Sequence, residues 1–189
     1  MKKGFWSSSK VAVLGGGSFG TVIANMAAKN VAQVTLYVRA EEQARQMNST
    51  RTNPNYVKEM ILDEKIRAAS SYDKVFENDL DMVIFALPSH ATRDQAKIVA
   101  RYMKGHELVL HATKGIEEQS LKRISTVLAE ELPVIRIGAI SGPNLAGEIA
   151  KNEPAATVVA SPFHDVIIAG EEILQNPRFR VYISHDLIG

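Results

Sequence analysis

Near its start the chain reads Val11-Ala12-Val13-Leu14-Gly15-Gly16-Gly17-Ser18-Phe19-Gly20, and this stretch decides the fold. The four apolar residues predict a short buried strand, and the pattern from Thr21 to Asn30 predicts a helix. Between them, Gly15, Gly17 and Gly20 form G-x-G-x-x-G, which is typical of a turn that holds the pyrophosphate of a dinucleotide. We expect Gly15 to make the tight turn, Gly17 to leave room for the phosphates, and Gly20 to let helix and strand pack closely.

The start of the predicted helix supplies the phosphate donors. The first N–H groups of a helix have no partner within it, and the helix dipole makes this end positive. The sequence therefore predicts that the backbone amides of Ser18 and Phe19 bind the phosphates. A second apolar run at Val34–Val38 provides the next strand of the expected β-α-β unit.

The end of this second strand bears on the choice of cofactor. Enzymes that use NAD usually place an Asp or Glu there to bind the ribose 2′-hydroxyl, whereas an Arg accommodates a 2′-phosphate. Here Arg39 lies 19 residues after Gly20. A guanidinium can clamp a phosphate and stack on adenine, so NADPH is favoured, with NADH possible. In the alternative interpretation, Arg39 is a solvated charge and Glu41 or Glu42 binds the ribose.

Further along the chain, short apolar runs alternate with helical patterns. The predicted strands are Val11–Leu14, Val34–Val38, Met82–Leu87, Leu108–His111, Ile135–Ile140, Ala156–Ala160 and Arg180–Ile183. The predicted helices are Thr21–Asn30, Glu41–Asn48, Ala91–Met103, Ser120–Glu131, Leu145–Lys151 and His164–Gln175. Several strands are continuously apolar, as happens when helices cover both faces of a sheet. The sequence therefore predicts an α/β fold of the Rossmann type: a doubly wound, mainly parallel sheet with helices on both faces, in one domain spanning residues 1–189.

One region is irregular. Residues 48–71 have no clear period, and we expect a long loop with a short strand near Lys65–Ala68. Long loops in compact domains often carry function.

Composition excludes several classes of protein. The 189 residues have a formal net charge of +1 and include no cysteine. This balance gives no electrostatic footprint for nucleic acid, and thiol catalysis and disulfides are excluded. No apolar run approaches the roughly 18 residues of a membrane span, so we expect no membrane insertion and a cytoplasmic location. The five histidines show no metal-ligand spacing, and we expect no metal.

Candidate site residues follow three predicted strands, at the sheet edge where ligands bind in open α/β sheets. Pro88 follows the third strand and could support the nicotinamide end of a cofactor. Lys114 follows the fourth, and Gly142 and Asn144 follow the fifth. A lysine there can donate a hydrogen bond to a polarised carbonyl oxygen. Alternatively, Lys114 is only a solvated charge at a strand end.

Taken together and in this order, these motifs resemble the bacterial-type NAD(P)-dependent glycerol-3-phosphate dehydrogenases. The matching segments are residues 15–21, 53–56, 87–90, 112–117, 141–148, 154–161, 179–183 and 186–189. They cover the chain from about residue 10 to its end. The combination of Ala112-Thr113-Lys114-Gly115 with Ser141-Gly142-Pro143 and the later Val181-Tyr182 is specific to this family.

The resemblance implies a reaction and a set of site residues. The reaction is reversible hydride transfer between NADPH and dihydroxyacetone phosphate, giving sn-glycerol 3-phosphate for phospholipid synthesis. By family pattern, the cofactor is bound by the glycine turn together with Ser18, Phe19, Arg39, Tyr56, Pro88, Lys114 and Ala146. The substrate is bound by Lys114, Gly142 and Asn144, although many relatives carry Thr at position 144. The family also implies a possible homodimer of the full-length protein.

The resemblance extends to what lies beyond Gly189. Family members continue into an all-helical domain that carries the proton-donating lysine and the groups that bind the substrate phosphate. We therefore expect this chain to be the cofactor-binding half, with poor activity alone. One alternative is a stand-alone NAD(P)-binding or redox-sensing module, in which Lys114 has no chemical role. Another is a ketopantoate-type reductase, which fits the glycines but not the segments around Lys114 and Gly142.

Overall fold

The glycine turn joins the first strand and helix as the sequence predicts. In the computed structural model, which describes residues 5–188, strand β1 spans Lys10–Leu14 and helix α1 spans Ser18–Ala28. The ends of the predicted domain, residues 1–4 and 189, lie outside the described residues. Helix α1 begins three residues before Thr21 because the extended backbone of Gly17 serves as its N-cap. The first helical N–H groups therefore belong to Ser18 and the residues after it.

The other elements follow in alternation. The remaining strands are β2 (Gln33–Tyr37), β3 (Ile66–Ala69), β4 (Met82–Phe85), β5 (Leu108–His111), β6 (Ile137–Ser141), β7 (Ala155–Ala160) and β8 (Phe179–Ser184). The remaining helices are α2 (Glu41–Thr50), α3 (Tyr72–Val75), α4 (Ser89–Val99), α5 (Ile124–Glu131), α6 (Ala146–Ala150) and α7 (His164–Leu174). A short 3-10 helix, Phe5–Ser8, precedes β1.

All eight strands form one sheet, in the order β3-β2-β1-β4-β5-β6-β7-β8. Strands β1 to β6 all run parallel to one another. Strand β7 runs antiparallel to β6, and β8 is parallel to β7. The strand order reverses between β1 and β4, which creates the crevice where ligands bind in such sheets. The predicted doubly wound, mainly parallel fold is confirmed.

Each face of the sheet has its own apolar core. In β1, Val11 and Val13 point into the core beneath α1, α2 and α7, whereas Ala12 and Leu14 point into the core beneath α3, α4 and α5. The four residues of β4 are fully buried, as expected for a central strand covered on both sides. Helices on both faces are therefore confirmed.

Several element boundaries differ from the prediction, and two of these differences bear on the site. Helix α5 begins at Ile124 and not at Ser120, because Leu121 has a positive φ of 56° and Ile116 pairs with Arg123 across a small loop. Strand β4 ends at Phe85, two residues early, which places Leu87 in the loop that leads to α4. Within residues 5–188, no helix has the length and apolar character needed to cross a bilayer.

Candidate functional site

The turn between β1 and α1 is closely packed against its neighbours. Gly15 has a φ of 122°, and its N–H donates to the Tyr37 carbonyl at 3.2 Å. A Cβ on Gly15 would lie 2.3 Å from the Ala86 carbonyl oxygen. A Cβ on Gly20 would lie 1.9 Å from the Gly15 carbonyl oxygen, so the helix could not start so close to the strand. Both glycines are required by the backbone packing of this turn.

Gly17 differs from the other glycines of the turn. A Cβ there would meet no protein atom within 4 Å, so the space in front of it is open. Its carbonyl accepts hydrogen bonds from the Thr21 N–H at 3.0 Å and the Thr21 hydroxyl at 2.7 Å. The carbonyl is thereby held within the first turn of α1, beside the positive helix end. This arrangement leaves room for a phosphate group where the sequence predicts one.

Asn53 also holds the turn, and sequence reasoning did not assign it. It is fully buried, and its Nδ2 donates to the Gly16 carbonyl at 3.0 Å and to the Thr21 hydroxyl at 2.8 Å. Gln43 on α2 adds a hydrogen bond to the Gly16 carbonyl at 3.2 Å. The sequence signals were the irregular region around Asn53 and the match of residues 53–56 to the family, and neither gives Asn53 a role. Gly16 itself was not assigned either, although a Cβ there would lie 2.2 Å from Val38 Cγ1.

A cleft of about 1100 Å³ opens at the carboxyl ends of the parallel strands, beside the glycine turn. Each predicted cofactor-binding residue lines it: Gly15, Gly17, Ser18, Phe19, Gly20, Arg39, Tyr56, Pro88, Lys114 and Ala146. Of the predicted substrate-binding residues, Lys114 and Asn144 line it, and Gly142 does not. Gly142 lies behind Asn144 and accepts a hydrogen bond from its backbone N–H at 2.8 Å.

The charge of the cleft is positive. Arg39 and Lys114 line it with exposed side chains, and no Asp or Glu of the described chain lines it. Glu41 and Glu42, the alternative ribose-binding residues, lie outside it, and Glu42 pairs with Arg45 at 2.8 Å. The cleft is therefore suited to an anionic ligand, and its geometry favours Arg39 over the two glutamates.

Two buried polar atoms in the cleft wall have no hydrogen-bond partner among residues 5–188. They are the Thr113 hydroxyl and the Asn144 Oδ1. The Asn144 amide is oriented by its Nδ2, which donates to the Thr157 hydroxyl at 2.8 Å. Thr157 in turn donates to the Ser141 carbonyl at 2.8 Å. Buried polar groups normally have partners, so these two atoms are available to a ligand.

His111 lies behind this wall at the end of β5. Burial lowers the pKa of its imidazole to about 4, although the Thr113 backbone acts in the opposite direction. His111 is therefore neutral near pH 7. Among the described residues, no group of three or more His, Asp and Glu side chains could hold a metal ion.

Known proteins resemble this chain over most of its length. Residues 10–166 match the family described as the N-terminus of NAD-dependent glycerol-3-phosphate dehydrogenase. A glycerol-3-phosphate dehydrogenase [NAD(P)+] of Ectopseudomonas mendocina is 42% identical over 179 residues, which are 95% of this chain and 52% of that protein. The corresponding protein of Acinetobacter baumannii strain SDF is 39% identical over 180 residues, covering 95% and 50%. The chain thus spans about half the length of the curated relatives it matches.

Solved structures give the same result. The crystal structure of a glycerol-3-phosphate dehydrogenase from Coxiella burnetii superposes with a TM-score of 0.88 at 28% sequence identity. The superposition covers 96% of this chain and 55% of that one.

Proposed function

Because the chain belongs to the NAD-dependent glycerol-3-phosphate dehydrogenase family, whose N-terminal domain it carries, we propose that it is the cofactor-binding half of an enzyme that interconverts dihydroxyacetone phosphate and sn-glycerol 3-phosphate. The observation that carries this proposal is the cleft itself. It lies at the switch point of the sheet, it has two cations, and no carboxylate from the described residues lines it. Both the proposed cofactor and the proposed substrate are anionic.

In this proposal the glycine turn and the start of α1 bind the cofactor phosphates. The N–H groups of Ser18 and Phe19 donate to the pyrophosphate, and the open space at Gly17 admits it. Arg39 pairs with the 2′-phosphate, which favours NADPH over NADH. Pro88 and Ala146 also line the cleft, and the proposal assigns Pro88 to the nicotinamide end of the cofactor.

Lys114 has the chemical role in this half. When bound, the cofactor supplies a hydride from its nicotinamide C4 to the ketone carbon of the substrate. The Lys114 ammonium donates a hydrogen bond to the substrate oxygen and stabilises the negative charge that develops there. The unpartnered Asn144 Oδ1 accepts a hydrogen bond from a substrate hydroxyl. Gly142 acts indirectly, because its carbonyl fixes the Asn144 backbone.

The length of the match supports the proposal that cofactor binding and full turnover depend on different parts of the enzyme. The chain covers 50–52% of the relatives described above, so we propose that it binds cofactor but turns over substrate poorly alone. The resemblance further implies a cytoplasmic location and a homodimer of the whole protein, and both belong to this proposal.

The test compares NADPH oxidation by dihydroxyacetone phosphate in two polypeptides, this chain and a version extended by the remaining half found in relatives. We expect at most trace turnover from the 189 residues and full turnover from the extended version. Lys114→Ala in the extended version should lower the rate roughly 100- to 1000-fold, as the loss of one oxyanion donor does. Lys104→Ala, which removes an exposed lysine paired with Asp79, is the control and should not change the rate.

Three outcomes would contradict the proposal. Fast turnover by the 189-residue chain alone would refute the proposal that full turnover depends on a different part of the enzyme. An unchanged rate in Lys114→Ala would refute the chemical role that the proposal gives to this lysine, whereas an extended version that binds NADPH but shows no turnover would favour the stand-alone nucleotide-binding module.

A further inference from the structure

The position of Lys114 is set by its backbone and not by its side chain. The side chain is exposed and makes no hydrogen bond or ion pair with any residue in the range 5–188. Before Lys114, the Ala112 N–H donates to the Phe85 carbonyl at 2.8 Å, which ties the segment to β4. After it, Gly115 has a φ of 85° and the chain turns into a small loop, residues 116–123. The anchoring of this loop therefore determines where Lys114 is held.

Apolar packing does not anchor the loop. Its two large apolar side chains, Ile116 and Leu121, are 47% and 72% exposed. Two backbone bonds lie within the loop: the Glu117 N–H donates to the Lys122 carbonyl at 3.0 Å, and the Leu121 N–H to the Glu117 carbonyl at 2.8 Å. At its end, the Arg123 carbonyl accepts hydrogen bonds from the first turn of α5, but none of these bonds reaches α4.

The Glu117 side chain attaches the loop to α4. Its carboxylate accepts two hydrogen bonds from Arg93, at 2.7 Å from Nε and 2.9 Å from Nη2. The Glu117 side chain is only 9% exposed and that of Arg93 21%, so water screens the pair weakly. Ser120 also donates to the same carboxylate. The Arg93 bonds hold the pKa of Glu117 at about 2, so this carboxylate is ionised at any physiological pH.

Arg93 is itself fixed from a second side. Its Nη2 pairs with Glu130 at 2.9 Å, and its Nη1 pairs with Glu131, both on α5. Lys122, from the same loop as Glu117, pairs with Glu130. Two cations and three carboxylates thus join α4, the loop and α5. A planar guanidinium can satisfy three carboxylates at once, which an ammonium cannot do with the same geometry.

Helix α4 is also part of the cleft wall. It begins at Ser89, directly after Pro88, and its first turn places His90 and Ala91 against the cleft. Arg93 lies one turn further along the same helix. The Arg93–Glu117 pair therefore connects the wall that follows β4 with the segment that follows β5.

From this geometry we infer that Arg93 is a positioning residue for Lys114. It acts through Glu117, and it fixes the backbone from which the Lys114 ammonium extends, relative to the opposite wall of the cleft. The inference rests on the proposed function and on the family pattern, in which Lys114 contacts the cofactor as well as the substrate. It adds that the affinity for NADPH depends on an ion pair that lies outside the cleft lining.

A double-mutant cycle on the 189-residue chain tests the inference, with NADPH binding followed by fluorescence. Arg93→Lys keeps the charge but loses the paired geometry, and we expect it to weaken NADPH binding about five- to tenfold. In the Lys114→Ala background, the same substitution should change binding less than about twofold, because the group it positions is absent. Equal losses in both backgrounds would overturn the inference, since a purely structural role affects binding whether or not Lys114 is present.

Two further variants make the test decisive. Glu117→Gln breaks the same pair from the loop side and should show the same dependence on Lys114, even if Arg93→Lys does not fold. Arg136→Lys is the matched control, because it alters an ion pair with Asp165 at 3.1 Å and neither residue lines the cleft. It should leave NADPH binding unchanged. If Lys114→Ala alone has no effect on NADPH binding, Lys114 does not contact the cofactor and the positioning role fails. The role of Lys114 towards the substrate is tested separately by the turnover of the extended version.

Discussion

Thr113, Asn144 and His111 show what single residues contribute at this site. Each has a buried polar atom without a hydrogen-bond partner in the described part of the chain. By contrast, Thr157, which contacts Asn144, makes two hydrogen bonds of 2.8 Å. Polar atoms left without partners reduce the stability of a fold, so a cluster of them beside a cleft indicates groups that become satisfied when a ligand binds.

Thr113→Val should therefore separate stability from binding. Valine has nearly the same shape, and the lost hydroxyl has no partner. We expect the free energy of unfolding to stay the same or rise by about 1 kcal/mol, and NADPH affinity to fall roughly two- to tenfold. Urea denaturation and a fluorescence titration measure the two effects.

Thr157→Val is the control and should lower stability by about 1–3 kcal/mol, because two bonded groups lose their partner. A destabilised Thr113→Val that binds NADPH normally would contradict this view of the hydroxyl.

At the scale of elements, the β1–α1 turn combines two requirements. Gly15 and Gly20 are needed because the backbones of the strand and helix touch, whereas Gly17 faces open space. The sequence pattern predicts all three glycines, but it does not distinguish those required for packing from the one that leaves room for a ligand. That distinction depends on which atoms surround each position.

Gly20→Ala and Gly17→Ala form a matched pair on this turn. In Gly20→Ala the new methyl group would lie 1.9 Å from the Gly15 carbonyl oxygen, and we expect a loss of about 2–3 kcal/mol in unfolding free energy. In Gly17→Ala the methyl group meets no protein atom, so stability should change by less than about 1 kcal/mol. NADPH affinity should nevertheless fall at least about tenfold, because the methyl group fills the phosphate space. Thermal unfolding and titration of both variants check this. If Gly17→Ala binds NADPH like the wild type, the phosphates do not lie there.

Local signals explain which elements could be predicted and which could not. The glycines, the continuously apolar strands and the order of the motifs were enough for the fold and for eleven of the 24 residues that line the cleft. The sequence pattern predicts that helix α5 begins at Ser120, because the pattern does not show the positive φ of Leu121. The roles of Asn53 and Arg93 could not be assigned from sequence. The groups that Asn53 bonds in the glycine turn and in α1 lie 32–37 residues away, and the partners of Arg93 lie 24–38 residues away.

At the scale of the whole molecule, the same central strands form the buried core and end at the cleft. β4 and β5 end in the cleft, and His111 at the end of β5 is only 8% exposed. The antiparallel β7 extends the sheet on the side of β6, and α6, which precedes β7, carries Ala146 into the cleft. The reversal at β7 left no signal in the sequence, because the connection over residues 142–154 is long enough for either strand direction.

The lowered pKa of His111 should make the free energy of unfolding depend on pH. Its pKa is about 4 in the folded chain because of burial, against 6.5 when exposed. Below pH 6.5 the unfolded chain gains a proton that the folded chain does not, so the free energy of unfolding falls by up to ~3 kcal/mol as the pH drops to about 4. Glu117 contributes only at lower pH, because its pKa is reduced from 4.5 to about 2 and its stabilisation is lost between those values.

Urea unfolding between pH 7 and pH 5 measures this loss. His111→Leu should make the unfolding free energy less dependent on pH in that range. His106→Gln, which replaces an exposed histidine, should keep the wild-type slope. A wild-type slope in His111→Leu would mean that another group takes up the proton.

Parallel fluorescence titrations of the 189-residue chain with NADPH and NADH test most directly whether the cleft between β1 and β4 is a dinucleotide site. We expect saturable binding of both, with NADPH about tenfold tighter because Arg39 pairs with the 2′-phosphate. Arg39→Ala should remove most of this difference and leave NADH binding nearly unchanged. Equal affinities in the wild type would refute the role of Arg39 while leaving the cleft as the site. A folded chain that binds neither nucleotide would contradict the account as a whole.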